Sequence, residues 1–203
     1  MNNASPRSRH ALLPAMLCVG FALLGGCART QPAQYYLLSS PGGVAAEAPV
    51  AARRVGLGPV QLPEYLDRPQ IVSWASPTRL HLSNTHRWAE PLGKSFARTL
   101  LANLAQALPD TQLVAWPWRA TQQPALQVTV DVQRFERAAD GALVLEARWA
   151  VQRGAADGAP DLHMTSLSVP VAGAADDYDA LVTAASAAVL GLARDIAARL
   201  PPE

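Results

Sequence analysis

The sequence predicts an α+β fold: a single domain with a mixed β-sheet of about six or seven strands, including an antiparallel meander, covered by two α-helices. Three observations predict it. Leu126 to Val132 alternates, with Leu126, Val128, Val130 and Val132 on one face and Gln127, Thr129 and Asp131 on the other. Asp140-Gly141 is a hairpin signal, and the strand returning from it aligns Leu143, Leu145, Ala147, Trp149 and Val151. Between Pro91 and Leu108, the residues Leu92, Phe96, Leu100, Leu104 and Leu108 recur every four positions, the spacing of one helix face.

The remaining elements follow in order. Tyr35-Tyr36-Leu37-Leu38 is an apolar run in a stretch rich in Ala, Pro and Gly; it reads as a first strand or as a segment docked on the body. Val55 to Val60 is a short strand. Ile71 to Trp74 and Arg79 to Ser83 form a hairpin about the turn Ser76-Pro77-Thr78. Pro91 suits the first helical position and Pro109 stops the helix, whose outer side carries Lys94, Arg98 and Gln106. Gln112 to Trp116 is a short apolar strand ended by Pro117. A second Asp-Gly pair, Asp157-Gly158, leads into a third meander strand near Leu162 to Val171. Tyr178 to Leu200 is the closing helix, capped by Asp176 or Asp177, with Leu181, Val182, Ala185, Val189, Leu192 and Ile196 facing inward.

Composition bounds the function. The 203 residues are 50% hydrophobic and 16% charged, which suits a globular chain and not a disordered one. The formal net charge of +1 provides no basic field for nucleic acid. Lys94 is the only lysine.

The N-terminus reads as an address. Arg7, Arg9 and His10 precede an apolar stretch, Ala11 to Leu24, too short for the roughly 20 residues a spanning helix needs. Leu24-Gly25-Gly26-Cys27 resembles a bacterial lipoprotein box. Residues 1–26 are then a signal peptide that is removed, 27–52 an acylated N-terminus and tether, and 53–203 the folded domain. Removing 1–26, which holds two arginines and no acid, leaves a formal charge of −1. Cys18 leaves with the signal, so the mature chain has one thiol, Cys27, and no intramolecular disulfide or Cys-based zinc site can form. Diacylglycerol and an N-acyl chain on Cys27 cap that thiol and anchor the protein. Ala28, where an Asp would direct retention at the inner membrane, favours the outer membrane.

Two further stretches carry a resemblance. One is Leu62-Pro63-Glu64-Tyr65-Leu66-Asp67-Arg68-Pro69-Gln70-Ile71-Val72; the other is Arg87-Trp88-Ala89-Glu90-Pro91-Leu92. With the lipoprotein box, Tyr36-Leu37-Leu38 and Leu192 to Ala197, the chain resembles the ABC-type transport auxiliary lipoproteins, the PqiC-like family. That resemblance implies a non-catalytic lipoprotein of a Gram-negative outer membrane, facing the periplasm. It implies a docking role beside an MCE-type periplasmic tunnel protein that moves lipid between membranes, with a homo-oligomeric ring as an assembly. The competing expectation is a self-sufficient lipid- or lipopolysaccharide-binding lipoprotein, which requires an apolar cavity between sheet and helices.

The candidate site residues have modest physical roles. Arg68-Pro69 sets the chain extended before Ile71, Trp88 packs at the start of the helix, and Glu90 lies near the positive end of its dipole. All three are either architectural or part of a contact surface. Trp116 and Trp118 flank Pro117, and an exposed indole there would point to protein or lipid contact. The polar residues Gln127, Thr129, Asp131, Glu146 and Arg148 read as solvated sheet surface or a partner site.

Catalytic constellations are missing from the sequence. His81, His86 and His163 are spaced wrongly for a metal site, no serine sits in G-x-S-x-G, and Gly56-x-Gly58 lacks the rest of a phosphate loop. Asp176-Asp177-x-Asp179 is an acid-rich helix start and not a calcium loop. No cofactor, no metal and no enzymatic activity are expected.

Overall fold

The computed structural model describes residues 31–42, 53–119, 123–154 and 157–201. The chain divides into two units, Met1–Pro32 and Ala33–Glu203, and the fold is that of the second. The signal segment 1–26 and Cys27 lie outside the described residues.

The elements are β1 (Gln34–Tyr36), β2 (Arg53–Gln61), a 3-10 turn (Glu64–Leu66), β3 (Gln70–Ser76), β4 (Arg79–Trp88), α1 (Leu92–Ala107), β5 (Thr111–Ala115), β6 (Leu126–Arg137), β7 (Leu143–Arg153), β8 (Asp157–Val169) and α2 (Tyr178–Arg199). The strands form one mixed eight-stranded sheet. This is the expected α+β architecture, with β1 as a short extra strand.

Strand β6 organises the sheet. One edge pairs antiparallel with β7 from Leu126 to Arg137, and β7 pairs with β8, giving the meander. The other edge is shared. Its first half pairs parallel with β2, from Leu126 to Asp131, and Arg137 pairs with Ser73 of β3. Beyond this fork, β2 carries β5, while β3 carries β4 and then β1.

Several strands outrun their sequence expectation. β4 continues to Trp88, β8 begins at Asp157, and β6 runs on to Arg137. The register of β6 shifts between Val132 and Arg134, so the alternation changes parity there. Phe135 consequently turns inward and is buried.

The core lies between the sheet and the two helices. Trp149 fills its centre and Phe96 meets Phe135 edge to face at 5.0 Å. Helix α2 is apolar enough, by length and composition, to cross a membrane. Here its apolar face, from Leu181 through Val189 to Ile196, is buried against the body. Small residues let α2 approach closely: a Cβ on Gly191 would stand 2.8 Å from Leu167 Cδ1. Asp177 supplies the N-cap, accepting from Ala180 N–H at 2.9 Å. A polar chain ties α2 to the meander. Trp149 Nε1 donates to Thr165 Oγ1 at 2.9 Å, and Thr165 donates to Asp195, which pairs with Arg199.

The run Tyr35 to Leu38 takes both of its sequence readings at once. β1 pairs parallel with β4, and the residues after it lie along α1 and α2. Leu38 is buried; its N–H reaches Ser95 Oγ at 3.4 Å and its carbonyl accepts from Thr99 Oγ1 at 3.3 Å. Ser39 N–H donates to Ser186 Oγ of α2, and Ser40 Oγ donates to Asn103 Oδ1 at 2.6 Å. Ser95, Thr99 and Asn103 recur every four residues and form a buried polar stripe on α1. Ser95 and Thr99 of that stripe satisfy the backbone of Leu38, which would otherwise be costly to bury, and Asn103 receives the Ser40 side chain.

Candidate functional site

The stretch Leu62 to Val72 crosses from β2 to β3 over the fork. Its middle is the 3-10 turn, which buries Leu66 and extends Tyr65 toward β6. There Tyr65 meets Glu136, a carboxylate whose side chain has no solvent exposure. Four donors satisfy it. Tyr65 Oη at 2.7 Å and the N–H of Phe135 at 2.8 Å reach Oε2; Trp74 Nε1 at 2.9 Å and Arg134 Nε at 3.0 Å reach Oε1. Burial, and then the hydrogen bond to Glu136, push the Tyr65 phenol well above its ordinary value. Sequence reasoning missed this cluster. The signal available was the charged pair Arg134 and Glu136 flanking an apolar Phe135, where the β6 alternation breaks.

Arg68, Trp88 and Glu90 come together beside that crossing. They line a cavity of about 300 Å³ with Asp67, Pro69, Ala89 and Pro91. The Trp88 N–H donates to the Pro69 carbonyl at 2.7 Å, so the extended Arg68-Pro69 pair closes onto the end of β4. Trp88 is buried, as its packing role requires. Pro91 occupies the N-cap and not the first helical position. Glu90 precedes α1 and pairs with Arg98 at 2.6 Å; this hydrogen bond holds its carboxyl below the usual range.

Trp116 and Trp118 form a second feature, edge to face at 4.9 Å. Glycines of β2 seat them. A Cβ on Gly58 would lie 2.6 Å from Trp116 Cβ, and one on Gly56 would lie 2.8 Å from the Trp118 ring. Gly56-x-Gly58 therefore accommodates indoles. Trp116 is 51% exposed and borders a groove of about 460 Å³ between β2 and α1. Arg98, which holds Glu90, also lines this groove, so one ion pair bridges the two sites.

The other candidates do not converge. Among the described residues no group of three or more His, Cys, Asp or Glu could hold a metal ion. His86 stacks on Tyr178 at 3.9 Å and bonds Tyr36 at 2.9 Å, while His163 packs on Trp149. Thr129, Asp131 and Arg148 line a shallow cavity with Leu162 on the outer face of the meander.

Comparison with known proteins begins with structure. A crystal structure of an uncharacterized protein superposes with a TM-score of 0.69 at 24% identity, covering 84% of this chain and 100% of its own. A Xanthomonas campestris protein superposes with a TM-score of 0.61 at 16% identity, covering 80% of this chain and 92% of its own. At these identities the likeness speaks for the fold alone. No curated protein matches the chain. The model of the ABC-type transport auxiliary lipoprotein component matches residues 36–197, from β1 to the last turn of α2. The chain therefore belongs to the ABC-type transport auxiliary lipoprotein family, a family of non-catalytic lipoproteins anchored to the outer membrane and facing the periplasm.

Proposed function

We propose that this protein is the outer-membrane docking component of an MCE-type ABC or Pqi envelope lipid-transport complex. In this reading 1–26 is removed, acyl chains on Cys27 hold the chain in outer-membrane lipid, 27–52 carries the tether, and 53–203 forms the bulk of the body. The body presents its surface to an MCE-domain tunnel protein and assembles into a homo-oligomeric ring.

The observation that carries the reading is the strap. The chain leading from Cys27 enters the body through β1, and Leu38 to Ser40 are fastened to both helices by buried hydroxyl and amide groups. Tension on a lipid anchor is thus received by the core and not by a loose tail. The competing role, self-sufficient lipid carriage, needs room between sheet and helices. Trp149, Phe96, Leu145 and Leu192 fill the centre of that layer, and the groove between β2 and α1 opens at its edge to solvent.

The test is to isolate the acylated protein from gently solubilised envelopes and identify what accompanies it. A stoichiometric MCE-type protein is expected; repeated absence of one, with crosslinking in cells also negative, overturns the docking role. Crosslinking must use carboxyl or photoreactive chemistry, because Lys94 is the single lysine. Cys27→Ser is expected to leave an unprocessed or soluble form, and outer-membrane fractionation of that variant would overturn the anchor.

A further inference from the structure

Trp118 has a neighbourhood that the docking role does not use. Gly56 of β2 leaves the space its ring fills, and Trp116 braces it edge to face at 4.9 Å. The indole is thereby held as one wall of a cavity of about 300 Å³. Gln123, Pro124, Gln127, Gln152 and Gly154 form the rest, so no lining side chain is ionisable.

Three amides in one cavity make a hydrogen-bonding surface. Gln127 of β6 and Gln152 of β7 stand opposite each other across the strands. Their neighbours Val128 and Val151 lie in the core, so the two glutamines are on the outer face of the sheet. Gln127 Nε2 donates to the Gly58 carbonyl at 3.0 Å, which fixes this amide and leaves its oxygen to accept. The Gln123 and Gln152 side chains have no partner among the described residues, so each presents donors and an acceptor.

The polar stripe continues along the strands. One pleat further, Thr129 lies opposite Ala150, and after that Asp131 opposite Arg148. These four residues line a second cavity of about 250 Å³ on the same face. Its hydroxyl, carboxylate and guanidinium add donors and acceptors with no net formal charge.

This chemistry selects a ligand class. A first cavity without an ionisable group has nothing to hold a phosphate, a carboxylate or a cation. A purely apolar guest would leave the amides desolvated and unpaired. A ring with hydroxyls around its edge and C–H groups on its face satisfies both kinds of wall: the amides meet the hydroxyls and the indole meets the C–H face. The volume, at the low end of the roughly 300–1,000 Å³ of small-molecule sites, suits one such ring, and the stripe toward Thr129 suits a chain of them.

We propose that the outer face of the meander binds a neutral glycan, with one pyranose ring against Trp118, its hydroxyls on Gln127 and Gln152, and the next ring over Thr129. The site rests on these residues and does not depend on the docking role, so either can fail without the other.

The test is calorimetric titration of the full acylated protein, held on phosphatidylcholine vesicles that carry no sugar, with cellohexaose and with chitohexaose. Saturable binding of at least one is expected. Binding of cellohexaose alone assigns a plain hexose chain, and binding of chitohexaose alone an amino-sugar chain; equal binding of both assigns a site that reads the ring and not its substituents. Trp118→Ala should abolish binding. Gln152→Ala, at a half-buried position on the outer face, should weaken it about fivefold, as loss of one neutral hydrogen bond would. Circular dichroism and the urea midpoint of each variant are measured alongside, so Gln152→Ala decides the matter if Trp118→Ala fails to fold. Added sodium chloride should leave the affinity unchanged, as a neutral ligand requires. The proposal is overturned by the absence of saturable binding of either probe, by binding that Gln152→Ala or a folded Trp118→Ala leaves intact, or by binding that salt weakens.

Discussion

The Tyr65 hydroxyl donates to Oε2 of Glu136 at 2.7 Å, fixing the β2-to-β3 crossing to the far end of β6. The contact is placed where β6 changes partners, so it holds the two arms of the sheet in register. Tyr65→Phe removes one bond to a charged acceptor and leaves the other three donors, so a loss of about 1.5–3 kcal/mol is expected. Glu136→Ala strands Tyr65, Trp74 and Arg134 together and should cost more, about 3–5 kcal/mol. Urea denaturation checks both. Equal costs would show that the carboxylate is not the hub.

The same pair predicts an alkaline weakness. The Tyr65 phenol titrates above its ordinary value of 10.0, because burial and the Glu136 hydrogen bond oppose the phenolate. The folded state then holds a proton that the unfolded state releases. This contribution is complete below pH 10 and is lost as pH rises toward the folded value. Burial and the nearby Asp179 also raise the Tyr36 phenol, so phenolate absorbance should show Tyr65 as the last of the late tyrosines, and Tyr65→Phe should remove that last step. A wild-type curve with no late step would contradict the assignment.

The strap makes a separate prediction. Leu38 is 2% exposed and its backbone is held by Ser95 and Thr99. Leu38→Ala should destabilise by about 2–5 kcal/mol, the range for a buried leucine. Its diagnostic effect is local: proteases should cut within 31–42 before the meander opens. Cleavage beginning in β7 or β8 instead would mean that the strap is not the first part to release.

Glu90 and Arg98 decide between architecture and contact for one of the motif residues. Both side chains are substantially exposed, at 33% and 56%, so solvent screening limits the pair to under about 1 kcal/mol. The carboxyl is held below its ordinary value of 4.5 by the Arg98 hydrogen bond. Its contribution is therefore present above pH 4.5 and is lost as pH falls through the lowered value. Glu90→Gln should shift the urea midpoint little and the salt dependence slightly. If that variant also loses partner recovery from envelopes, Glu90 is a contact residue. If partner recovery is unchanged, its role is the local ion pair.

The features legible in the sequence were those in which each residue reports its own burial. Leu126 to Val132, Leu143 to Val151 and the four-residue repeat of α1 carry that pattern, and all three elements are where the alternation or period puts them. The polar stripe of Ser95, Thr99 and Asn103 was hidden because its partner is a strap more than fifty positions upstream, and alone it resembles interruptions in an apolar face. Glu136 was hidden by the register shift before it, which turns a residue of β6 toward Tyr65 and Trp74. The family stretches pointed to Arg68, Trp88 and Glu90 together, and these do share one cavity. Gly56-x-Gly58 stood out as a motif, yet its meaning depends on indoles some sixty residues later.

Those glycines yield the sharpest prediction. Gly58 sits at φ +122, where a side chain is strained, and a Cβ there would also come within 2.6 Å of Trp116 Cβ. Gly58→Ala should cost about 1–3 kcal/mol for the backbone alone, with the collision added. Gly141, at φ +93, has nothing within 4 Å of its added Cβ, so Gly141→Ala measures backbone strain without collision. The two contributions separate in a cycle with Trp116→Gly, which removes the Cβ that Gly58→Ala would strike. The double variant should recover the collision part and retain a loss like that of Gly141→Ala. Additive losses would mean that Gly58 is required by its backbone conformation alone, and that Trp116 is not seated by it.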